Sequence, residues 1–307
     1  MYAYLRETSG VYMSRMKEPL YFASRNFPDR LFGIRINVVR NKHDYLRLYD
    51  NVRDEIAIGE ASASYLWDNE APKLIHDTIP KARIIIMLRD PVERAFSHYL
   101  MHLRDGSETN LSFYDALKND YDSEARKELG LSHLYIGYGL YSQQVKRYLD
   151  IFGREQVKVI IFEEFVKSVI DTVRDILEFL GIAGIAALPY NIEEAYNVYS
   201  APRFRSIPIL LNLVARLRNK TRRKENKTNY QKLHSGAPVG KRTVLRKILS
   251  KRSIKPQVPH EARLFLENIY HDDIIRLQRI LDRSLPWPTI SRYNDEWGND
   301  KKNGKIL

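Results

Sequence analysis

The segment whose residue types and spacing best suit chemistry is ARIIIMLRDPVERAFSHYLMH, residues 82–102. An apolar strand ends immediately before Arg89, and the carboxyl ends of strands in open α/β sheets are where ligands bind. Asp90 can cap the helix that follows, and Pro91 suits its first position. This geometry lets the guanidinium fork of Arg89 and the hydroxyl of Ser97 converge on one anion, such as a phosphate.

Glu93 extends this pattern, because it lies three residues after Asp90 and would complete a capping box at the start of the helix. Ser97 lies one turn beyond Glu93 on the same helical face. An Arg and a Ser considered as a pair are more often a surface ion-pair partner and a neutral filler. The whole segment is more specific than the pair, and it predicts an anion-binding site.

Residues 89–99, RDPVERAFSHY, resemble the 3′-phosphate-binding motif of sulfotransferases that use 3′-phosphoadenosine-5′-phosphosulfate (PAPS). The likeness is strongest to the bacterial and heparan-sulfate-type branch of that family, and it extends over residues 2–288. The other matching segments are GEASASYLW (59–67), RETSGVYMSRMKEPLYFA (6–23), GLYSQQVKRYLDIFGREQVKVIIFEEF (139–165), FLGI (179–182) and EARLFLENIYHDDIIRLQRILDRSLPW (261–287).

The resemblance implies an enzyme that transfers a sulfuryl group from PAPS, its co-substrate, to a hydroxyl or amine and leaves adenosine 3′,5′-bisphosphate. It implies an α/β, P-loop-NTPase-like fold in which helices flank a central, mostly parallel sheet, with Arg89 and Ser97 binding the donor. Such a transfer is similar to phosphoryl transfer, so catalysis depends on positioning and on charge stabilisation. The resemblance implies neither a metal nor a redox cofactor.

A glutamate just before paired aromatic residues is the catalytic base in heparan-sulfate-type members, and Glu18 of KEPLYF occupies the matching position. The resemblance therefore implies that Glu18 is the general base. From the residues alone, an acid between Lys17 and Pro19 is as readily a structural charge in a loop. Glu60, at the end of the first visible strand, is the alternative acid, and Lys17 is a weaker candidate for orienting donor or acceptor.

The sequence departs from the family pattern in two places. Some members place a Lys after the Glu that corresponds to Glu60, and here that residue is Ala61. The family also opens with a strand and a K-x-G-T-T-like loop that cradles the 5′-phosphosulfate, whereas the first predicted helix here begins at about Tyr2. We expect Met1 to be an internal methionine, with roughly 20 to 40 residues upstream that supply the strand and loop. The rival hypothesis is a truncated, catalytically impaired relative that binds anions or glycans.

Positive charge is concentrated in one late segment. Residues 203–255 hold 17 Lys or Arg and one acid, whereas the whole chain has a net charge of +12. Such a block is typical of a solvated surface, either a basic loop without a dedicated ligand or a site for an anionic partner. By resemblance it would contain the basic loop that covers the donor's 3′-phosphate, with Arg203, Lys241 and Arg242 as candidates.

The elements that position these residues follow from the apolar patterns. Runs rich in β-branched residues predict strands at 55–59, 83–88 and 157–162. Helical periodicity predicts helices at 2–9, 91–104, 141–152, 169–180, 206–224, 243–251 and 260–282. Strands that alternate with helices favour a mostly parallel α/β sheet with helices on both faces. The basic helix 206–224 is predicted to pack over the sheet, with binding to an anionic membrane surface as the alternative.

Composition limits the function classes. The chain has 307 residues, of which 44% are apolar and 29% charged, as in an ordinary globular protein. Because cysteine is absent, disulfides, thiolate metal sites and Cys nucleophiles are excluded. No run of about 20 apolar residues predicts a membrane span. We predict one sulfotransferase domain over residues 1–290, a polar tail over 291–307, and a cytoplasmic location with membrane-peripheral contact as an option.

The expected partners are a carbohydrate, a glycolipid or another hydroxyl acceptor, with peripheral contact with an anionic membrane surface as an option. Nucleic acid is less favoured, because the basic segment lacks a recognition motif and regularly spaced aromatic residues. A P-loop kinase is disfavoured because the sequence has no G-x-x-x-x-G-K-[ST] motif. The segment SGAPVG at 235–240 is only superficially similar, since no strand is predicted before it.

Overall fold

The computed structural model describes residues 1–23, 25, 27–28, 30–31, 34–122, 133–183, 188, 192, 200–202, 250–252 and 254–288. Its strands are β1 (Val11–Met13), β2 (Arg30–Leu31), β3 (Ile34–Arg35), β4 (Ala57–Gly59), β5 (Ile84–Leu88), β6 (Val157–Ile161), β7 (Ser200–Pro202) and β8 (Ser250–Arg252). Its helices are α1 (Tyr2–Arg6), α2 (Lys42–Leu46), α3 (Ala71–Thr78), α4 (Pro91–Asp105), α5 (Phe113–Tyr121), α6 (Tyr141–Phe152), α7 (Phe162–Phe165), α8 (Val169–Phe179) and α9 (His260–Leu281).

Two parallel strand pairs form the centre of the fold. β5 pairs with β6 so that Ile84 lies opposite Val157 and Leu88 opposite Ile161, and β1 pairs with β4. Parallel strands need a crossover connection, and α4, α5 and α6 provide it between β5 and β6. The α/β architecture expected from the sequence is therefore confirmed. Within the described ranges, the other strand pairs, β2–β3 and β7–β8, are antiparallel.

Helices cover both faces of the parallel strands. Because side chains alternate along a strand, β5 contributes Ile86 and Leu88 to one hydrophobic cluster and Ile85 and Met87 to another. The first cluster also contains residues of α4, α6 and α9, and the second contains residues of α1 and α8. This two-sided burial explains why residues 84–88 are apolar throughout.

Asp90 caps the start of α4 as the sequence predicts, but Glu93 does not complete the cap. The Asp90 carboxylate accepts hydrogen bonds from the backbone N–H groups of Val92 (2.9 Å) and Glu93 (3.1 Å). The predicted capping box is wrong in its second half, because the N–H of Asp90 donates to the Glu163 carboxylate at 3.1 Å and not to Glu93. A residue beyond β6 therefore completes the cap, which leaves the Glu93 carboxylate available for other contacts.

The long C-terminal helix α9 closes the fold against α6. Its buried Asp273 accepts hydrogen bonds from the backbone N–H of Ser142, at 3.0 Å, and from the Ser142 hydroxyl. Tyr270 is fully buried and donates to the backbone carbonyl of Tyr135 at 3.1 Å. The ends of α6, α8 and α9 agree with the sequence prediction to within one residue. In the part of the chain that is described, no helix has an apolar stretch long enough to cross a bilayer.

In the last third of the chain, the structure describes only some of the residues for which helices were predicted. The predicted helix at 206–224 and the tail at 291–307 lie outside the described residues. The predicted helix at 243–251 is wrong at its end, because Ser250–Arg252 is a strand that pairs with Ser200–Pro202. The division into a domain over 1–290 and a tail stays a prediction.

Candidate functional site

Arg89 and Ser97 lie together, as their spacing predicts. Arg89 Nη1 donates to Ser97 Oγ at 3.0 Å, and the guanidinium carbon lies 4.9 Å from the centre of the Phe162 ring. The Tyr141 hydroxyl donates to the backbone carbonyl of Arg89 at 3.0 Å, which fixes the chain where β5 gives way to α4. Arg89 Nε has no hydrogen-bond acceptor among the described residues. The pair therefore presents a partly buried cation beside a hydroxyl, which suits an anion with several oxygens.

Glu93 forms ion pairs with further cations beside Arg89 and Ser97. Its carboxylate oxygens lie 2.7 Å from Lys255 Nζ, 2.8 Å from Arg263 Nη2 and 3.8 Å from Arg89 Nη2. Burial would raise the pKa of Glu93, but the hydrogen bonds and charges of Lys255 and Arg263 lower it below its usual value. Burial, opposed by the contact with Glu93, lowers the pKa of Lys255, and the nearby Arg89 lowers it further. Three cations around one carboxylate leave a positive centre next to Ser97.

The sequence did not single out this cluster. Lys255 belongs to the basic segment that the charge pattern identified as a whole, but nothing in the pattern distinguishes it from its neighbours. Arg263 carries no signal in the sequence, because a basic residue in the first turn of an amphipathic helix is ordinary. The donor-binding candidates named from the sequence, Arg203, Lys241 and Arg242, lie outside the described residues.

Glu18 lies in a tight loop that is tied to the segment after β4. Its backbone is in the left-handed region, with φ 59°, and its N–H donates to the carbonyl of Ala61 at 2.9 Å. The N–H of Ala63 donates to Glu18 Oε2 at 2.8 Å. Burial raises the pKa of Glu18, although the Ala63 hydrogen bond and the charge of Lys17 oppose the change. A partly buried carboxyl with a raised pKa is better suited to accepting a proton than an ordinary surface acid.

Glu60 lies at the end of β4 with both carboxylate oxygens engaged. Oε1 accepts from the hydroxyls of Tyr45 (2.9 Å) and Tyr65 (3.0 Å), and Oε2 accepts from the Ser62 hydroxyl (2.9 Å). Burial raises the pKa of Glu60 against the effect of these three hydrogen bonds, and the charge of Glu18 raises it further. The Glu18 and Glu60 carboxylates therefore influence each other, but only in Glu60 do both oxygens accept hydrogen bonds from hydroxyl groups.

Tyr138 connects the Glu18 loop with α4. Burial raises the pKa of its hydroxyl, with opposing contributions from a hydrogen bond to Ser64 and from the charge of Arg94, and the charge of Glu18 adds to the rise. The guanidinium carbon of Arg94, on α4, lies 5.9 Å from the Tyr138 ring centre. The ring of Trp67 lies 5.7 Å from that of Tyr138. Tyr138 therefore feels the charge of the candidate base and packs against Trp67 and against Arg94 of the helix that carries Ser97.

Lys17 is exposed. Within the described ranges no group of His, Asp and Glu side chains is arranged to hold a metal ion. A cavity of about 190 Å³ is lined by other residues than Arg89 and Glu18, namely Leu149, Arg154, Val157, Val159, Ile161, Leu281 and Arg283.

Comparison with known proteins gives a consistent result. A sequence model described as "Sulfotransferase family" matches residues 30–185. Carbohydrate sulfotransferase 15 of Mus musculus is 26% identical over 237 residues, 61% of this chain and 42% of that protein. Bifunctional heparan sulfate N-deacetylase/N-sulfotransferase 4 of Mus musculus is 24% identical over 296 residues, 93% of this chain and 30% of that protein. The chain thus spans well under half the length of these curated relatives.

A solved structure is similar over nearly its whole length. The crystal structure of a sulfotransferase from Alicyclobacillus acidocaldarius is 31% identical in sequence, with a TM-score of 0.65. The similarity covers 92% of this chain and 90% of that one. The P-loop-like α/β fold expected from the sequence is therefore confirmed.

Proposed function

This chain belongs to the sulfotransferase family, and on that premise we propose that it transfers a sulfuryl group from PAPS to a hydroxyl or amine of an acceptor. One observation carries the proposal: the hydrogen bond of 3.0 Å between Arg89 and Ser97 at the carboxyl end of a buried parallel strand. The carboxyl edge of such a sheet is where a nucleotide is held. Arg89 and Ser97 would bind the 3′-phosphate of the donor and of the bisphosphate product.

Glu18 is proposed as the general base, and Glu60 is not. Among the described residues only the Ala63 N–H donates to Glu18, so Glu18 Oε1 can accept a hydrogen bond from an acceptor hydroxyl. Both oxygens of Glu60 already accept from hydroxyl groups. The raised pKa of Glu18 also brings it closer to the pH at which a base works well.

The reaction would proceed as an in-line displacement in which the protein positions the reactants. The acceptor hydroxyl loses its proton to Glu18 while its oxygen bonds to sulfur, and the bond from sulfur to the 5′-phosphate oxygen breaks. Charge builds up on the sulfuryl oxygens and on the leaving phosphate, so nearby cations would lower the barrier. Lys17, the exposed cation next to Glu18, is a candidate for this charge stabilisation.

A carbohydrate is the proposed acceptor. The charge of Glu18 acts on the hydroxyl of Tyr138, and the ring centres of Tyr138 and Trp67 lie 5.7 Å apart. Such rings combine flat apolar faces with a polar edge, which suits a sugar whose ring faces are apolar and whose rim is hydroxylated. The two curated relatives act, by their names, on carbohydrate and on heparan sulfate, which is consistent with this class.

We also propose that a strand and a phosphosulfate loop precede α1 in the natural protein. Within the described residues β4 pairs only with β1, and β5 pairs only with β6. Both pairs contribute to the hydrophobic cluster of α1 and α8, yet Ile58 of β4 is 54% exposed. An additional parallel strand between β4 and β5 would pair both edges and cover such surface. The upstream DNA tests this: an in-frame stop codon with no coding sequence for a strand and loop would contradict it.

The proposed activity is tested with the full-length protein, PAPS and a panel of neutral glycans, anionic glycans and a simple phenol. We expect labelled sulfate to appear on a glycan and the bisphosphate to be released in equal amount. A full-length protein that binds adenosine 3′,5′-bisphosphate but sulfates no member of the panel would favour the rival hypothesis of an impaired, anion-binding relative. A protein that does not bind the bisphosphate would contradict the proposal altogether.

A further inference from the structure

The loop that carries Glu18 has a backbone conformation that its own residues disfavour. Glu18 has φ 59° and Leu20 has φ 58°, with Pro19 between them. Residues with a Cβ atom rarely adopt this left-handed region, and they keep it where contacts with the surrounding structure hold them there. The position of the Glu18 carboxylate therefore depends on what holds this loop.

Two N–H groups of the loop donate to hydroxyl oxygens of the segment that follows β4. The Leu20 N–H donates to Ser62 Oγ at 3.2 Å, and the Phe22 N–H donates to the Tyr65 hydroxyl oxygen at 3.2 Å. Leu20 and Phe22 are both buried. An N–H group left without an acceptor here would destabilise the loop, so the direction in which these two hydroxyls point matters.

Glu60 sets that direction. The Ser62 hydroxyl donates to Glu60 Oε2 at 2.9 Å, and the Tyr65 hydroxyl donates to Oε1 at 3.0 Å. A hydroxyl has one hydrogen to donate, and an ionised carboxylate can only accept. Because both hydroxyls give their hydrogen to Glu60, their lone pairs are free to accept from the loop. Tyr45 also donates to Oε1, at 2.9 Å, and its ring stacks on that of Tyr21 in the loop, with centres 4.2 Å apart.

We propose that Glu60 is a positioning residue of the transfer reaction, which holds the loop in the conformation that presents Glu18 to the acceptor. The inference rests on the proposed function, because it takes Glu18 as the general base. Glu60 acts through the hydroxyls of Ser62 and Tyr65 and does not itself take the proton. One buried carboxylate thus organises both hydroxyl contacts of the loop.

The charge of Glu60 also acts on Glu18. Burial raises the pKa of Glu60, its three hydroxyl partners lower it, and the charge of Glu18 raises it further. Repulsion between two carboxylates is mutual, so an ionised Glu60 makes Glu18 hold a proton more readily, against the charge of Lys17. Burial raises the pKa of each tyrosine on which the two carboxylates act, so all stay neutral where carboxylates titrate; they are Tyr45, Tyr49, Tyr65, Tyr138 and Tyr148.

A second buried glutamate provides matched controls. Glu108 Oε2 accepts from the buried Tyr135 hydroxyl at 3.1 Å, as Glu60 Oε1 accepts from Tyr65 at 3.0 Å. Glu108 follows α4, and its other oxygen accepts from two backbone N–H groups. The test therefore compares Tyr65→Phe with Tyr135→Phe, and Glu60→Gln with Glu108→Gln, in the full-length protein.

Tyr65→Phe tests the geometry. It leaves the Phe22 N–H without its acceptor, so hydrogen exchange at that amide should become about tenfold faster. With PAPS and the glycan that the activity panel identifies, kcat should fall about three- to tenfold, while bisphosphate affinity stays unchanged. Tyr135→Phe should alter neither exchange at Phe22 nor kcat. If Tyr65→Phe matches Tyr135→Phe in both measurements, the inference is overturned.

Glu60→Gln tests the charge, since the amide oxygen still accepts hydrogen bonds. The carboxyl of Glu18 is followed by carbon-13 NMR titration, with its signal identified by its loss in Glu18→Gln. Glu18 should titrate about one pH unit lower in Glu60→Gln than in the parent, and as in the parent in Glu108→Gln. An unshifted titration in Glu60→Gln would overturn the effect of charge.

A double variant separates positioning from a general effect on the fold. If Glu60 acts through Glu18, Glu60→Gln lowers kcat about three- to tenfold in the parent and has no further effect in a Glu18→Gln background. An equal loss in both backgrounds overturns the inference and leaves the proposed function standing. Full turnover in Glu18→Gln alone overturns the base assignment together with the inference. Urea unfolding curves check that each variant is folded.

Discussion

Arg89 and Ser97 are the residues on which donor binding is proposed to depend, and each can be tested alone. Arg89→Ala removes a cation and several donors from the phosphate, so it should weaken binding of the bisphosphate by roughly 10- to 100-fold. Ser97→Ala removes one neutral donor and should cost about three- to tenfold. Calorimetry measures both dissociation constants. Exposed Arg174 on α8 provides the control, since Arg174→Ala should bind like the parent; equal constants for all four proteins would rule out this phosphate site.

Glu18 can be separated from donor binding, because the base acts on the acceptor. Glu18→Gln should leave bisphosphate affinity near normal and lower kcat by about 10²- to 10⁴-fold. Burial raises the pKa of Glu18, so in the parent kcat should fall on acidification at a higher pH than for an ordinary carboxyl. Glu178→Gln, at an exposed position on α8, should leave kcat and its pH profile unchanged. Unaltered turnover in Glu18→Gln would mean that another group is the base.

For single residues, the sequence predicts contacts between positions that are close in the chain. It misses contacts between distant positions that only folding brings together. Arg89 and Ser97 are eight positions apart across one strand end and one helix, so their meeting follows from the strand–cap–helix pattern. The contacts of Glu93 with Lys255 and Arg263 join positions 162 and 170 apart. No local pattern specifies such contacts, and so the sequence assigned Glu93 to a capping box that Glu163 completes.

Whether a helix or a strand can be predicted depends on its length and on how often its apolar pattern repeats. α6 and α9 present apolar faces over several turns, and β5 and β6 are runs of β-branched residues, so their bounds agree closely with prediction. β1 is three residues long and was not predicted, because three residues are too few for a period to show. β8 was predicted as the end of a helix, since its strand pairing with β7 is not encoded in its own composition.

The second half of α4 carries a group of histidines that should make stability depend on pH. The ring centres of His98 and His102 lie 4.3 Å apart, and those of His102 and His133 lie 4.2 Å apart. Burial, reinforced by neighbouring positive charges, lowers the pKa of His98 and brings that of His102 to about 3. Burial also lowers the pKa of His133, despite opposing carboxylates at Glu108 and Asp120.

The sign of this effect follows from proton linkage. In the unfolded chain these imidazoles take up protons near their ordinary pKa of about 6.5, whereas in the folded protein they stay neutral. Their contribution to stability is present above pH 6.5 and is lost as the pH falls below it. Urea unfolding at pH 7.5, 6.5 and 5.5 should show this loss. His102→Gln should reduce the slope, and a stability that is flat or rises over this range would contradict the assignment.

For the whole molecule, helices on both faces of parallel strands could be predicted because the buried strands lack a polar face. The way the strands divide into two pairs could not, since pairing depends on segments far apart in the chain. The concentration of positive charge in residues 203–255 remains a prediction of an anionic partner. The cytoplasmic, membrane-peripheral location also stays a prediction.

The contact between α9 and α6 joins the end of the described chain to the centre of the fold and stabilises both. Asp273 is 4% exposed and accepts two hydrogen bonds from Ser142 at the start of α6. Asp273→Ala leaves the buried N–H of Ser142 without a partner, so the free energy of unfolding should fall by about 3 kcal/mol. Asp272, whose side chain is 80% exposed on the same helix, provides the control. Asp272→Ala should unfold like the parent in urea; similar losses for the two variants would show that helix propensity, and not this buried contact, holds α9 in place.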